Sequence, residues 1–179
     1  MALGSMDELS HVLSAATQAI DSAYFHIQID GGDPIYRERV YCYELYHQMR
    51  RLWPDGCAYR LNGELDKAAH PILSQWGADR KKPDLLVHQP GSMAGNHAVI
   101  EVKSSRASAN GIEKDLETLS LFITKVGYQR AIYLLYGYEA DMALVKRIQS
   151  IASTKDDRAQ IELWLHDAPG KPAACVGSV

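Results

Sequence analysis

A chain of 179 residues, 46% of them hydrophobic, is long enough to bury a core of its own and fits one domain by length. Its formal net charge of −3 excludes the overall basic excess of a protein that coats nucleic acid without specificity, but not an enzyme that touches nucleic acid through a local patch. The three cysteines, Cys42, Cys57 and Cys175, form no C-x-x-C pair, which argues against a zinc site and for a reducing, cytoplasmic setting; no apolar run is long enough to span a bilayer.

Residues 1–5, ahead of a second methionine at Met6, read as a cloning remnant, and no secretory signal is evident. Leu9, Val12, Leu13, Ala16 and Ile20 recur at helical spacing and predict an amphipathic helix over residues 6–24, used for packing or as an oligomer contact. The cluster Asp30-Gly31-Gly32-Asp33-Pro34 then breaks the chain. A second helix is predicted over residues 35–53. Its stripe of Cys42, Leu45, Met49 and Leu52 should face a sheet, and Glu38 lies on that stripe one turn earlier. Glu44 falls on another side with Val40, His47 and Arg51, where a surface charge or helix ion pair is the ordinary explanation.

Pro54-Asp55-Gly56 ends this helix, and residues 58–65 read as a strand with Asn62-Gly63 as a turn or bulge. Glu64 and Asp66 at its end are solvated turn charges or outer members of an acidic site. Residues 68–80 read as a short helix or loop, closing on the basic cluster Arg80-Lys81-Lys82.

Residues 82–103 carry the clearest chemistry. Lys82-Pro83-Asp84-Leu85-Leu86-Val87-His88 and Asn96-His97-Ala98-Val99-Ile100-Glu101-Val102-Lys103 read as two strands joined by a glycine-containing loop. Side chains alternate along a strand, so Glu101 and Lys103 share a face with Val99, and Asp84 shares one with Leu86 and His88. If the strands pair, Asp84 and Glu101 converge. Two carboxylates that close repel each other, and a divalent cation is the usual reason such a pair is kept. His88 reads as a satisfied core or loop histidine, with a substrate contact as the other reading.

Asn110 with Glu113 three residues on signals the start of a helix running to residue 126, with Ile112, Leu116, Leu119, Ile123 and Val126 as its stripe. A strand over residues 128–136, a helix over 139–151 with Leu144, Ile148 and Ile151 in register, and a strand over 161–165 follow. Residues 168–179, rich in Pro, Gly and Ala, read as a flexible tail. This order predicts an α/β fold with a central mixed β-sheet flanked by helices, one domain over residues 6–167.

Pro83-Asp84 and then Glu101-Val102-Lys103 after a short hairpin, with a glutamate-bearing helix before and a helix and strand after, resemble the PD-(D/E)XK nuclease superfamily. The likeness covers roughly residues 35–136. It implies a restriction-endonuclease-like αβββαβ core, here with an extra N-terminal helix and a C-terminal helix-strand extension. It also implies a Mg²⁺- or Mn²⁺-dependent nuclease that hydrolyses phosphodiester bonds, with DNA as the expected substrate, in restriction, repair or mobile-element defence. On the family's pattern Asp84, Glu101 and the Val102 carbonyl would bind the metal, and Lys103 would orient the attacking water and offset phosphate charge. Glu38 would be the helix carboxylate that joins them, with Glu44 as its substitute. Lys82 and Arg106, with Lys81, flank the site and would meet phosphates.

Other readings stay open. Lys103 paired with a neighbouring carboxylate and Asp84 as a strand-initiating residue after proline are ordinary structural features. The mild acidity also suits a catalytically silent nuclease-fold module that binds nucleic acid or a protein partner. An interaction subunit docking through its first helix is a third reading. Cutting both strands of a duplex normally takes two active sites, which admits a homodimer.

Overall fold

The computed structural model describes residues 6–63, 81–154 and 159–179. It opens with α1 (Met6–Gln18) and a one-turn α2 (Ser22–Phe25), whose start is capped by the Asp21 side chain accepting from the Ala23 N–H at 2.8 Å. The helix expected to run to residue 24 therefore ends at Gln18, and the Asx cap restarts the chain in a new direction. The glycine cluster does more than break the chain. β1 (Ile27–Ile29) and β2 (Gly32–Ile35) form a small antiparallel hairpin, turning through Gly31 at φ 72°.

Next come α3 (Glu38–Arg51), β3 (Arg60–Gly63), β4 (Leu85–His88) and β5 (Asn96–Ser104). α4 (Ala109–Thr124), β6 (Arg130–Tyr136), α5 (Met142–Ala152), β7 (Glu162–His166) and β8 (Ala174–Ser178) complete the chain. The six strands from β3 to β8 lie side by side in chain order. β3, β4 and β5 are antiparallel neighbours, β5, β6 and β7 are parallel, and β8 returns antiparallel to β7. Each parallel step is bridged by a helix, α4 and then α5, as a parallel pair requires. From α3 to β6 the order is αβββαβ inside a mixed sheet flanked by helices.

Strand alternation divides the apolar residues between two layers. Leu85, Val87, Ile100, Val102, Ile132 and Leu134 pack on the side of α1 and α3, against Leu13, Tyr41, Leu45 and Met49. Leu86, Val99, Tyr133 and Leu135 pack on the other side, against Ile112, Leu116 and Phe122 of α4 and Leu144 and Ile148 of α5. Because both faces are covered, β6 is buried along its whole length, which explains its unbroken apolar run.

Several expectations are corrected. Leu52 does not face the sheet; it follows the last turn of α3 and is 44% exposed, while Tyr41 takes the core position. The cap of α4 is Ser108, whose hydroxyl accepts from the Gly111 N–H, in place of Asn110. Residues 168–179 are no loose tail: β8 is hydrogen-bonded to β7, and Ala173 is buried and held to α1 through Ser14 and Thr17. The α1 stripe is spent inside the protein, with Leu9, Leu13 and Ala16 fully buried, so it offers no free docking face. Glu64, Asp66 and the expected helix or loop over 68–80, including Arg80, lie outside the described residues, as do residues 1–5.

Candidate active site at the end of the β4–β5 pair

The last rung between β4 and β5 is Leu85 opposite Ile100, while β5 continues to Ser104 paired only with β6 on its other side. Asp84 sits just beyond that rung, across from Glu101. Its Oδ2 accepts from the Val102 N–H at 2.8 Å, where a β4 carbonyl would otherwise serve. The carboxylate thus caps the ladder and is fixed beside Glu101, whose side chain it meets directly. Glu101 is only 7% exposed.

Electrostatics follow from that packing. Burial pushes the Asp84 carboxyl up to about 6, opposed by the Val102 and Glu101 hydrogen bonds and the Lys103 charge. Glu101 is held well above the usual carboxylate range, first by burial and then by the charges of Asp84 and Asp115. Two carboxyls in this position cannot both ionise cheaply; a shared proton or a shared cation relieves them.

Lys103, two residues on and on the same face as Glu101, has its ammonium between two acids. Asp115 Oδ2 lies 3.0 Å from Nζ and Glu38 Oε2 lies 3.2 Å from it. Burial works to lower the lysine's pKa, but the charges of Asp115 and Glu38 outweigh it and the ammonium stays protonated well above its ordinary range. Glu38 is the first residue of α3, so its side chain reaches past the helix start, and its Oε1 also accepts from the backbone N–H and the hydroxyl of Ser104, both at 3.3 Å. Asp115 comes from the buried face of α4 and accepts from the Tyr133 hydroxyl at 3.2 Å. Burial raises its pKa, with Lys103 opposing.

The structure therefore gathers Asp84, Glu101, Lys103 and Glu38, and adds Asp115 and Tyr133. Asp115 was legible: positions 112, 115, 116 and 119 share one side of a 3.6-residue period, the criterion that singled out Glu38. Glu44 is elsewhere, accepting from Gln48 Nε2 at 2.6 Å on its own helix. His88 bonds Asn62 across β3 and β4, Nε2 to Oδ1 at 2.9 Å, which is the structural role. Lys81 and Lys82 line a recess of about 260 Å³ with Glu101, Lys114, Asp115 and Thr118. Arg106 turns the other way, donating to Glu139 at 2.6 Å and lying over the Tyr36 ring. That contact, helped by the Ser105 and Tyr36 hydrogen bonds and opposed by burial, brings Glu139 down to about 2.

A mixed α/β fold with an acid pair and an anchored lysine at one strand end is the class these observations define. No protein-family model matches the chain, and no curated protein matches it. Among solved structures, Pyrococcus furiosus SfsA in complex with Ca²⁺ is similar at 11% identity, over 86% of this chain and 75% of that one, with a TM-score of 0.36. An overlap of that grade leaves the site to be argued from its own residues. Among the described residues no helix is long and apolar enough to cross a membrane.

Proposed function

We propose that the protein is a nuclease of the restriction-endonuclease-like kind, hydrolysing phosphodiester bonds, with DNA as substrate and Mg²⁺ or Mn²⁺ as cofactor. The observation that carries this reading is the Asp84–Glu101 pair, Glu101 buried and Asp84 half-buried, with Lys103 anchored on the strand face of Glu101. The donor set suits such a cation. Among the described residues no three His, Cys, Asp or Glu side chains form a ready-made cage, and two carboxylates with the Val102 carbonyl leave positions for the waters that Mg²⁺ keeps.

A bound divalent cation supplies a water of lowered pKa and offsets charge on the phosphate. The chain's own residues do the rest. Asp84 and Glu101 hold the oxygen ligands at a fixed spacing because the Val102 N–H pins one of them. The Lys103 ammonium has three donors; Asp115 and Glu38 take two, and the third serves the attacking water or a phosphate oxygen. Asp115 and Tyr133 position that lysine, and Lys81, Lys82 and Lys114 meet neighbouring phosphates from the recess beside Glu101. A cytoplasmic setting suits three cysteines outside any disulfide, two of them buried.

The test is cleavage of plasmid and single-stranded substrates with Mg²⁺ or Mn²⁺ by the wild type, Glu101→Gln and Lys103→Ala. Cutting lost in both variants supports the reading; equal traces in all three mark a contaminant and end it. A second reading, a silent nuclease-fold module that binds nucleic acid or a protein, is favoured by the engagement of Lys103 with two acids and of Arg106 with Glu139. Calorimetric titration with Mn²⁺ separates the two, since only an intact metal site binds the ion and loses it in Asp84→Asn.

A further inference from the structure

We infer that the cleft between α3 and Asp84 receives an unpaired nucleotide, so that the substrate is single-stranded nucleic acid; this rests on the hydrolase reading above. α3 has two faces in use. Tyr41, Leu45 and Met49 enter the core, while Arg39, Cys42, Tyr43 and Tyr46, at i, i+3, i+4 and i+7, line a cleft of about 510 Å³. Glu38 and Asp84 line the same cleft. Asp84 therefore faces two tyrosines across this cleft, while its partner Glu101 lines the recess with Lys81 and Lys82.

The two rings differ in a useful way. Tyr46 is half-buried against the core, with its hydroxyl 3.5 Å from the Leu61 carbonyl oxygen, and forms a fixed wall. Tyr43, one turn before it, is 66% exposed at the mouth, an unusual place for a large aromatic side chain. Cys42, 8% exposed, and Leu85 give a small apolar floor, and Arg39 brings a guanidinium to the rim. An apolar floor, aromatic walls, a cation at the mouth and the Asp84 and Glu38 carboxylates alongside match a nucleotide with its base stacked and its phosphate turned to Asp84. The volume lies in the range that encloses one small-molecule-sized ligand. A base still paired in a duplex cannot enter it, whereas a base of a single strand can at no cost in pairing.

Stacking on one aromatic side chain is sequence-tolerant, and its loss weakens binding by about 5- to 100-fold. The test uses oligonucleotides of one sequence as single-stranded DNA, single-stranded RNA and duplex DNA, each carrying 2-aminopurine. Stopped-flow quenching on binding and steady-state cleavage are both recorded in Mn²⁺. Expected are stronger quenching and faster cutting of a single strand than of the duplex, a KM raised about 5- to 100-fold in Tyr43→Ala with kcat little changed, and wild-type behaviour in Tyr43→Phe. DNA and RNA arms that differ identify the sugar the cleft accepts. Duplex bound and cut as well as the single strand, or Tyr43→Ala equal to wild type, overturns the inference while leaving the hydrolase intact. Quenching that depends on Tyr43 without any cutting keeps the cleft and removes the hydrolase. Neither quenching nor cutting removes both.

Discussion

The Lys103–Asp115 pair gives the sharpest energetic prediction. At 3.0 Å, two unit charges attract by about 5 kcal/mol at an effective dielectric constant of about 20, before the cost of burying them. The side chains are 19% and 11% exposed, so neither full solvent screening nor a dry interior applies. Exposed pairs couple by about 0–1 kcal/mol, and breaking a buried pair costs about 3–5 kcal/mol. Glu38 remains as a second partner for the lysine, which lowers the upper figure. A coupling of about 1–3 kcal/mol is therefore expected between the two positions. It is read from urea unfolding of wild type, Lys103→Met, Asp115→Asn and the double variant at low salt. Asp115→Asn keeps the shape and an acceptor for Tyr133, so the cycle reports charge rather than packing. Cleavage by Asp115→Asn should also fall by about 10-fold or more, with Mn²⁺ affinity largely kept. A coupling near zero with unchanged cleavage would show that the lysine is held by something else and that Asp115 is a spectator.

Because burial lifts Asp84 to about 6 from 3.8, the stability tied to this group in metal-free protein is present below pH 3.8 and is lost as pH rises through about 6. Glu101→Gln, which removes the like charge, should then be about 1 kcal/mol or more stabler than wild type at pH 8 and differ little at pH 4, while losing Mn²⁺ binding. His166 behaves in the opposite sense. Burial lowers its pKa from 6.5 to about 4, and its Nδ1 lies 2.6 Å from the Tyr41 hydroxyl, so its contribution is complete above pH 6.5 and is lost as pH falls toward 4. At most about 3 kcal/mol is involved, and the acid-side slope of thermal unfolding should flatten in His166→Gln. Leu13 is fully buried, so Leu13→Ala should cost about 2–5 kcal/mol in urea unfolding, whereas a helix reserved for docking would tolerate the change.

The placement of the candidate residues is readable in the sequence to the extent that it depends on strand alternation. Once residues 85–88 and 96–104 pair, the period of two places Asp84 beside Glu101 and puts Lys103 on the same face. Glu38 shows itself by its place on an apolar stripe. Asp115 obeys the same rule, but a charged residue within a helix ordinarily belongs to the solvated side, and the sequence alone carries no sign that Lys103 draws this one inward. The misread elements depend on contacts made far along the chain. Residues 174–178 have the composition of a loop, and only pairing with β7 makes them a strand. The β1–β2 hairpin was hidden because Asp30-Gly31-Gly32 signals a turn without saying that the flanks pair. Leu52 kept the period of α3 after the helix itself had ended at Arg51.

The central claim is that Asp84 and Glu101 share a divalent cation. Anomalous diffraction from crystals soaked in Mn²⁺ tests it most directly. The account predicts one strong peak about 2.0–2.3 Å from carboxylate oxygens of both residues, absent in Asp84→Asn. A saturating soak that leaves the position between them without a peak, or that places Mn²⁺ only elsewhere, would contradict it.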